Sequence, residues 1–563
     1  MNADLPTLTS LAERSGRSRA WIAPAVALSA ALVFVLENRH TTAPIDDAYI
    51  VYRYAENLAH GNGFVFNVGE RVEGVTTLLW TLLVAAFVRA GLDAERVAHA
   101  LSVAFGGLTL WLTYVYARAA LPSEHRITAA VAPWLLVACP SFIVWSTAGL
   151  ETPLFMATVM ATLYAEARGR PALSMAMAAV ATLVRPDGAL LALVVAACTL
   201  GVRPRERART ALLSLCYALF LGLLTAFRLA YFGSPLPNTF YAKVGGVAWW
   251  WGPHYLGRFA VQLLLPMLAP SAFAVKDRYF LGGLGFALAT TVYVAAVGGD
   301  VFNHSRFFMP VLPVLCATTV SGARRAAGRG TWLGRFAALG VEVSFVWLVF
   351  GTIAGLGALV LAATAAWGLG RRWGAAVVSV GSVLVLVGVF ELRRLSDVAN
   401  AAPSSAAVSV AWPFTMDTRW AELQKTRAAF EYSKAVSVRA AALLDARPPK
   451  DKLVASIAIG GLGYFSSARI LDLVGLVDHN IATTPQRASP GTTLLVPGHQ
   501  RTNSKYVLSR NPDFVLIAKV GTDTFPAPAI IELWQSKEFR DRYVWDPAML
   551  WYQRKPLRAK AAR

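Results

Sequence analysis

Along its first 392 residues the chain alternates long apolar runs with short polar interruptions, and beyond them the alternation stops. An uncharged apolar run of about 18 residues or more matches a hydrocarbon core about 30 Å thick. Leu212–Phe227 and Val377–Phe390 lie within such runs. The pattern predicts membrane spans near 21–36, 97–117, 127–147, 152–166, 172–184, 189–202, 210–231, 255–275, 279–297, 308–322 and 373–391. Residues 336–369 are too long for one span and are read as a hairpin turning near Gly351–Gly357, which gives eleven to thirteen spans. The shorter apolar stretch Thr76–Phe87 is read as a helix lying at the outer interface.

Basic clusters set the expected orientation, because Lys and Arg concentrate in cytoplasmic loops. Arg14, Arg17 and Arg19 precede the first apolar run, and no small-x-small cleavage site follows it. It is therefore expected to be an uncleaved first span. Arg118, the Arg168/Arg170 pair, the four arginines of Arg203–Arg209, Lys276 with Arg278, and Arg324–Arg335 mark inner loops. The outer loops are then 38–75, 149–151, 185–188, 235–246 and 298–306. Arg371-Arg372 falls inside only if 336–369 is a hairpin, and on that reading the C-terminal domain is delivered outside.

From about residue 393 charges, Pro, Asn and Ser return. Ala399–Ser409 reads as a linker and Ala421–Leu444 as a helix. Leu453–Ile459, Arg469–Val474 and Phe514–Ile517 read as strands by length and β-branched content. Gly460-Gly461-Leu462-Gly463 reads as a turn after the first of them, since it lacks the G-x-G-x-x-G of a phosphate-binding loop. The expected architecture is a mainly α, polytopic transmembrane bundle (1–392) followed by a small soluble α/β domain (393–563).

Composition agrees with that division. Of 563 residues 56% are hydrophobic and only 15% charged, against about 25% charged in ordinary soluble domains. The net charge of +20 would suggest nucleic acid in a soluble protein. Much of it lies in the short inter-span clusters instead, so the expected partner is the lipid bilayer and not nucleic acid. The four cysteines (Cys139, Cys198, Cys216 and Cys316) sit in apolar runs without a CxxC pair, which argues against a disulfide framework or a zinc site.

Carboxylates and amides gather in the outer loops, which topology does not require. They hold Asp46, Asp47, Arg53, Glu56, Asn67, Glu70 and Glu73, then Glu151, Arg185, Asp187, Asn238, Tyr241 and Lys243, and finally Asp300, His304 and Arg306. Asp46-Asp47, following Pro44, is either the cap of a helix over 48–58 or an acid–base pair in which one charge raises the pKa of the other. Arg185-Pro186-Asp187 is a turn between spans or an anion contact. Lys243 and Arg306 are headgroup anchors or, with His304, a phosphate clamp. Trp249-Trp250-Trp251 reads as an interfacial aromatic belt.

These residues carry a family likeness. Asp46-Asp47-Ala48-Tyr49-Ile50 through Arg53-Tyr54-Ala55, with Gly61-Asn62-Gly63 and the stretch Asn67 to Gly74, resembles the first outer loop of GT-C membrane glycosyltransferases. Gly149-Leu150-Glu151-Thr152-Pro153-Leu154, Arg185-Pro186-Asp187-Gly188, Asn238-Thr239-Phe240-Tyr241-Ala242-Lys243, Gly298-Gly299-Asp300 and His304-Ser305-Arg306-Phe307-Phe308 extend the likeness in chain order. So do Asp472-Leu473-Val474-Gly475-Leu476, Gly498-His499 and Tyr506-Val507-Leu508 to Pro512-Asp513. The subgroup they resemble is the terminal arabinofuranosyltransferases and the related pilin arabinosyltransferases. Val75-Thr76-Thr77 departs from it where an aromatic residue and an Asn are expected.

The resemblance implies a polyprenyl-phosphate sugar donor, a glycan or glycoprotein acceptor of the cell envelope, and inversion at the anomeric carbon. It implies a bacterial inner membrane location, with the site and the C-terminal domain on the periplasmic side. It makes Asp46 the general base, with Asp47 as the alternative. Lys243, His304, Arg306 and Arg185 would meet the donor phosphate. Arg53, Glu73, Glu151, Asp187, Asn238, Tyr241, Asp300, Asp472 and His499 would face sugar or acceptor, with His479 a further contact from the C-terminal domain. No organic cofactor is implied, and a divalent cation at the Asp pair is left open. A lipid-linked sugar transporter would call for inverted repeats and mid-bilayer charges, and neither is visible. A non-catalytic envelope scaffold would not explain the carboxylate–cation set.

Overall fold

The computed structural model describes residues 21–38, 44–122, 125–243, 251–300, 304–344, 419–485, 500–517 and 527–555, apart from a few short gaps within those stretches. Three of the described helices are long and apolar enough to cross a bilayer: Ala94–Ala119, Pro204–Phe232 and Arg278–Val297. Shorter apolar helices accompany them at Ile22–Asn38, Leu78–Arg89, Arg126–Ala138, Pro171–Val184 and Gly188–Val202. Helix Thr152–Ala167 is buried along nearly its whole length between Ala94–Ala119 and Pro171–Val184. By contrast Arg207–Phe232 buries only Thr210 and presents Leu212, Leu215, Leu219 and Leu223 outward, as a lipid-facing helix would. The proposed hairpin at 336–369 and the last span at 373–391 lie largely or wholly outside the described residues.

One expected span is broken among the described residues. The run 127–147 divides at Cys139, which is extended, before a new helix Pro140–Trp145. Pro140 has no amide to continue the ladder and biases the residue before it away from helix. Over the run 255–275 the described residues include the helices Trp251–Phe259 and Leu265–Ala272. Thr76–Phe87 does form a helix, Leu78–Arg89, with Trp80, Thr81, Val84 and Ala85 buried.

The loops sort to two ends as the basic clusters predict. At one end Arg203 pairs with Glu166 at 3.7 Å, Arg325 with Asp277, and Arg324 donates to His125 at 2.7 Å. All of these come from predicted inner loops or the span ends beside them. The predicted outer loops meet at the other end.

The C-terminal domain is a five-stranded mixed sheet with helices around it. Its strands are β1 (Leu453–Ser456), β2 (Arg469–Asp472), β3 (Phe514–Leu516), β4 (Tyr543–Asp546) and β5 (Trp551–Arg554), in the order β2-β1-β3-β5-β4. β1 runs parallel to both neighbours, with Val454 opposite Ile470 and Phe514. β5 is antiparallel to β3 and β4. The long helix Arg419–Asp445 precedes the sheet. Gly460–Phe465 is a short helix, not the bare turn expected from its glycines.

This domain sits on the first outer loop. Asn67 pairs with β2 as an extra strand would: its side-chain amide donates to the Ile470 carbonyl at 2.8 Å and its Oδ1 accepts the Ile470 N–H at 3.0 Å. Arg53 spends its guanidinium on three backbone carbonyls, those of Phe66 (2.7 Å), Ala468 (2.9 Å) and Gly463. Asn238 donates to the carbonyls of Gly475 and Leu476 and meets His479 Nδ1 at 2.9 Å. Tyr464 and Phe465 stack against Tyr49. The domain and the first loop therefore lie on one face of the bundle.

Candidate active site

Asp46 and Asp47 open the helix Asp46–Ala59, in the turn where carboxylates interact best with the helix dipole. Ile45 occupies the cap position and neither carboxylate caps the helix. Asp46 instead faces the C-terminal domain: its Oδ2 accepts the Gly460 amide at 3.1 Å and its Oδ1 the Gly461 amide at 2.8 Å. Burial raises its pKa, the Gly461 amide opposes that, the neighbouring Asp47 charge adds to it, and the Gly460 amide again opposes. The net direction is upward, toward a stronger base.

Asp47 points the other way and stays 35% exposed. Its Oδ2 lies 3.4 Å from Arg306 Nη1, while Arg306 Nη2 lies 2.7 Å from Asp300 Oδ2. Burial works against the Arg306 charge, but Asp300, Asp47 and Glu151 outweigh it and raise its pKa. The guanidinium carbon also stands over the rings of Trp145 (5.3 Å) and Phe307 (5.7 Å). His304 and Ser305, just before it, both take left-handed backbone angles, φ 67° and 47°. Non-glycine residues rarely do so, and such strain often marks a functional turn. The turn is pinned where Trp145 Nε1 donates to the His304 carbonyl at 2.9 Å, and Thr426 of the long C-terminal helix meets His304 Nε2 at 3.0 Å.

A second charged group abuts the first across Phe307. Arg185 donates to Glu151 at 3.1 Å and forks onto Asp187 through Nε (3.0 Å) and Nη2 (3.1 Å). It lies 5.4 Å from the Phe307 ring. Two carboxylates on one buried guanidinium leave it little positive charge to offer a phosphate. Arg306 has two carboxylates as well, but one of them is the half-open Asp47.

Several sequence candidates are spent elsewhere. Arg53 and Asn238 fasten the C-terminal domain, as described. Glu73 takes a fork from Arg228 Nε at 3.1 and 3.0 Å, and its carbonyl accepts the Asn238 amide. Asp472 is fully buried, with the amides of Val474 (2.9 Å) and Val477 (3.0 Å) on its two oxygens, so it shapes the loop after β2 and does not face the cluster. Tyr241 accepts from Ser234, and its carbonyl holds Arg501. Lys243 is exposed at the end of helix Asn238–Lys243, and among the described residues no contact joins it to the Asp46–Arg306 cluster. His499 lies outside the described residues. Among those residues no three His, Cys, Asp or Glu side chains converge as a metal site.

From the sequence Gly460 and Gly461 read only as part of a turn, and Thr426, Trp145 and Arg228 did not stand out. For the glycines a signal existed: small residues directly after a strand mark a close backbone approach.

Residues 422–553 match the family model described as Domain of unknown function (DUF8728). A terminal β-(1→2)-arabinofuranosyltransferase of Mycobacterium tuberculosis is 33% identical over 236 residues, covering 38% of this chain and 37% of that protein. One from Corynebacterium glutamicum is 27% identical over 345 residues, covering 49% and 47%. The resemblance drawn from the sequence motifs thus reappears in named relatives. The matches span less than half the length of either relative. Among solved structures, the crystal structure of ArnT from Cupriavidus metallidurans bound to undecaprenyl phosphate is similar with TM-score 0.46 and 16% identity, over 82% of this chain and 87% of that one.

Proposed function

We propose that this chain is an inverting membrane glycosyltransferase that moves a sugar, arabinofuranose by its relatives, from a polyprenyl-phosphate donor to a glycan or glycoprotein acceptor of the cell envelope. The observation that carries the reading is the Asp46–Asp47–Arg306–Asp300 cluster. It pairs a carboxylate of raised proton affinity with a buried cation, at the face where the outer loops meet.

Asp46 is the general base. The acceptor hydroxyl oxygen attacks the anomeric carbon, Asp46 takes its proton, and the bond from that carbon to the phosphate oxygen breaks on the opposite side. The phosphate leaves with the electron pair, still attached to its lipid. Arg306 faces that developing negative charge and His304 adjoins it, while Asp47 and Asp300 hold the guanidinium in place. The lipid tail stays in the bilayer and the acceptor enters from the face of the C-terminal domain, the periplasmic face of a bacterial inner membrane.

The test uses purified full-length protein with polyprenyl-phosphate-linked arabinofuranose and an arabinan acceptor, following release of polyprenyl phosphate. Losing a general base costs about 10²–10⁴-fold, so Asp46→Asn should lose turnover on that order. Wild-type turnover in both Asp46→Asn and Asp47→Asn would remove the assignment.

A further inference from the structure

The motif reading gave the C-terminal domain acceptor contacts at Asp472, His479 and His499, yet the domain also touches the cluster itself, at Asp46. Gly460 approaches Asp46 so closely that no side chain fits between them, and Ser437 leaves no room for one on Gly461. A methyl on Gly460 would overlap the Asp46 carbonyl, and one on Gly461 would lie 2.7 Å from Ser437 Cβ and Oγ and 3.4 Å from Asp46 Oδ1. The amides of both residues end on the carboxylate. The surroundings keep them there. Arg53 ties the helix to the first loop through the Gly463 carbonyl, and Tyr464 donates to Glu56 at 3.3 Å. Lys434 of the long helix meets both oxygens of Glu95, at 2.7 and 2.9 Å.

We propose that the active site is bipartite: the membrane part supplies the Asp46 carboxylate, and the C-terminal domain supplies Gly460 and Gly461 as positioning residues whose backbone amides fix its orientation. The inference rests on the reading of Asp46 as the base. A carboxylate on a helix end has free rotamers, and two amide donors, one on each oxygen, select one of them. Each oxygen keeps a lone pair that can take a proton. The same amides favour the ionised form and oppose the upward push of burial.

The experiment displaces the amides without touching the carboxylate. Gly461→Ala pushes the short helix against Ser437, and Ser437→Leu pushes from the opposite side while leaving the glycines intact. Ser437→Gly removes the obstacle. Transfer is followed against pH in the full chain. Small displacements of a catalytic group cost on the order of 10²-fold, so Gly461→Ala and Ser437→Leu should each lower kcat/KM by about that much. Each should also move the acid limb of the profile to higher pH, because Asp46 loses donors that stabilise its charge. The double variant Gly461→Ala/Ser437→Gly should return both rate and limb toward wild type, and Ser437→Gly alone should behave as wild type. The other ionisable groups near Asp46 are Asp47 with Arg306, and Tyr49 with Glu95 and Lys434. None of them is altered. A lower rate with an unmoved limb would mean a structural role only and overturn the proposal, as would wild-type rate and limb in both displacing variants. If Asp46→Asn and Asp47→Asn are both active, the reading of the base fails instead, whatever the glycine variants do.

Discussion

Arg306 is a buried cation held between two carboxylates. Its guanidinium is buried and its charge is balanced by Asp300 at 2.7 Å and Asp47 at 3.4 Å. Removing one partner of a buried pair costs about 3–5 kcal/mol, because the remaining charge is stranded. Asp300→Ala should therefore lower the unfolding midpoint in detergent more than Asp47→Ala, whose carboxylate is part-exposed and screened by solvent. Equal midpoints would contradict the burial of the Arg306–Asp300 pair. Asp472 offers a second test. Burial pushes its pKa up to about 6 from 3.8, against the Val474, Val477 and Leu476 amides. A folded-state pKa above the unfolded value means stability that is full below about 3.8 and is lost as pH rises through about 6. The stability of wild type relative to Asp472→Asn should fall between about pH 4 and pH 6 and level off above that, read as the difference in thermal midpoint. A difference that grows with pH would reverse the sign.

Among the elements, the first outer loop is the seat of the C-terminal domain. Asn67 makes two hydrogen bonds with Ile470 of β2 that no other side chain can copy. Asn67→Ala leaves the Ile470 N–H and C=O unsatisfied and should cost about 1–3 kcal/mol, with faster hydrogen exchange confined to β2 and the loop 64–74. Exchange unchanged in β2 would show that this edge is held by other contacts. Arg53→Lys tests the same seat from the helix side. One ammonium cannot replace a fork that spans Phe66, Gly463 and Ala468, so protease sensitivity around Gly460–Phe465 should rise. These roles were not legible beforehand. Arg53 and Asn238 stand in two of the motifs that carry the resemblance, and a motif does not say whether a side chain faces a ligand or a neighbouring domain. The segment boundaries were more legible: β1, β2, β3 and the helix Arg419–Asp445 fall where length and β-branched content placed them. β4 and β5 were missed, since Tyr543–Asp546 and Trp551–Arg554 are short and charged at their ends.

For the molecule as a whole, the contacts put the first loop and the C-terminal domain on one face and the Glu166–Arg203 and Asp277–Arg325 pairs on the other. His60→Cys and Glu538→Cys should then react with a membrane-impermeant maleimide from the same side of sealed vesicles, and Arg205→Cys only after permeabilisation from that side. Labelling of His60→Cys and Glu538→Cys from opposite sides would break the proposed seating of the domain. Ion pairs across this seat, such as Lys434–Glu95, are part-exposed and add at most about 1 kcal/mol each. The backbone hydrogen bonds to Arg53, Asn67 and Asn238 carry the docking.

Among the described residues hydropathy sufficed for most of the apolar helices, because burial in lipid acts on each segment without reference to the others. The carboxylate–cation cluster was visible as a list of residues, because polar groups at span ends carry a cost that demands a reason. Which of them meet was settled by the packing of segments far apart in the chain. Asp46 and Gly461 are 415 positions apart, and Asp47 and Arg306 are 259. No local period encodes such a distance. The division of labour between Asp46, clasped by amides, and Asp47, half-open beside Arg306, belongs to the folded molecule: two adjacent residues on one helix diverge, and only the surfaces they meet distinguish them.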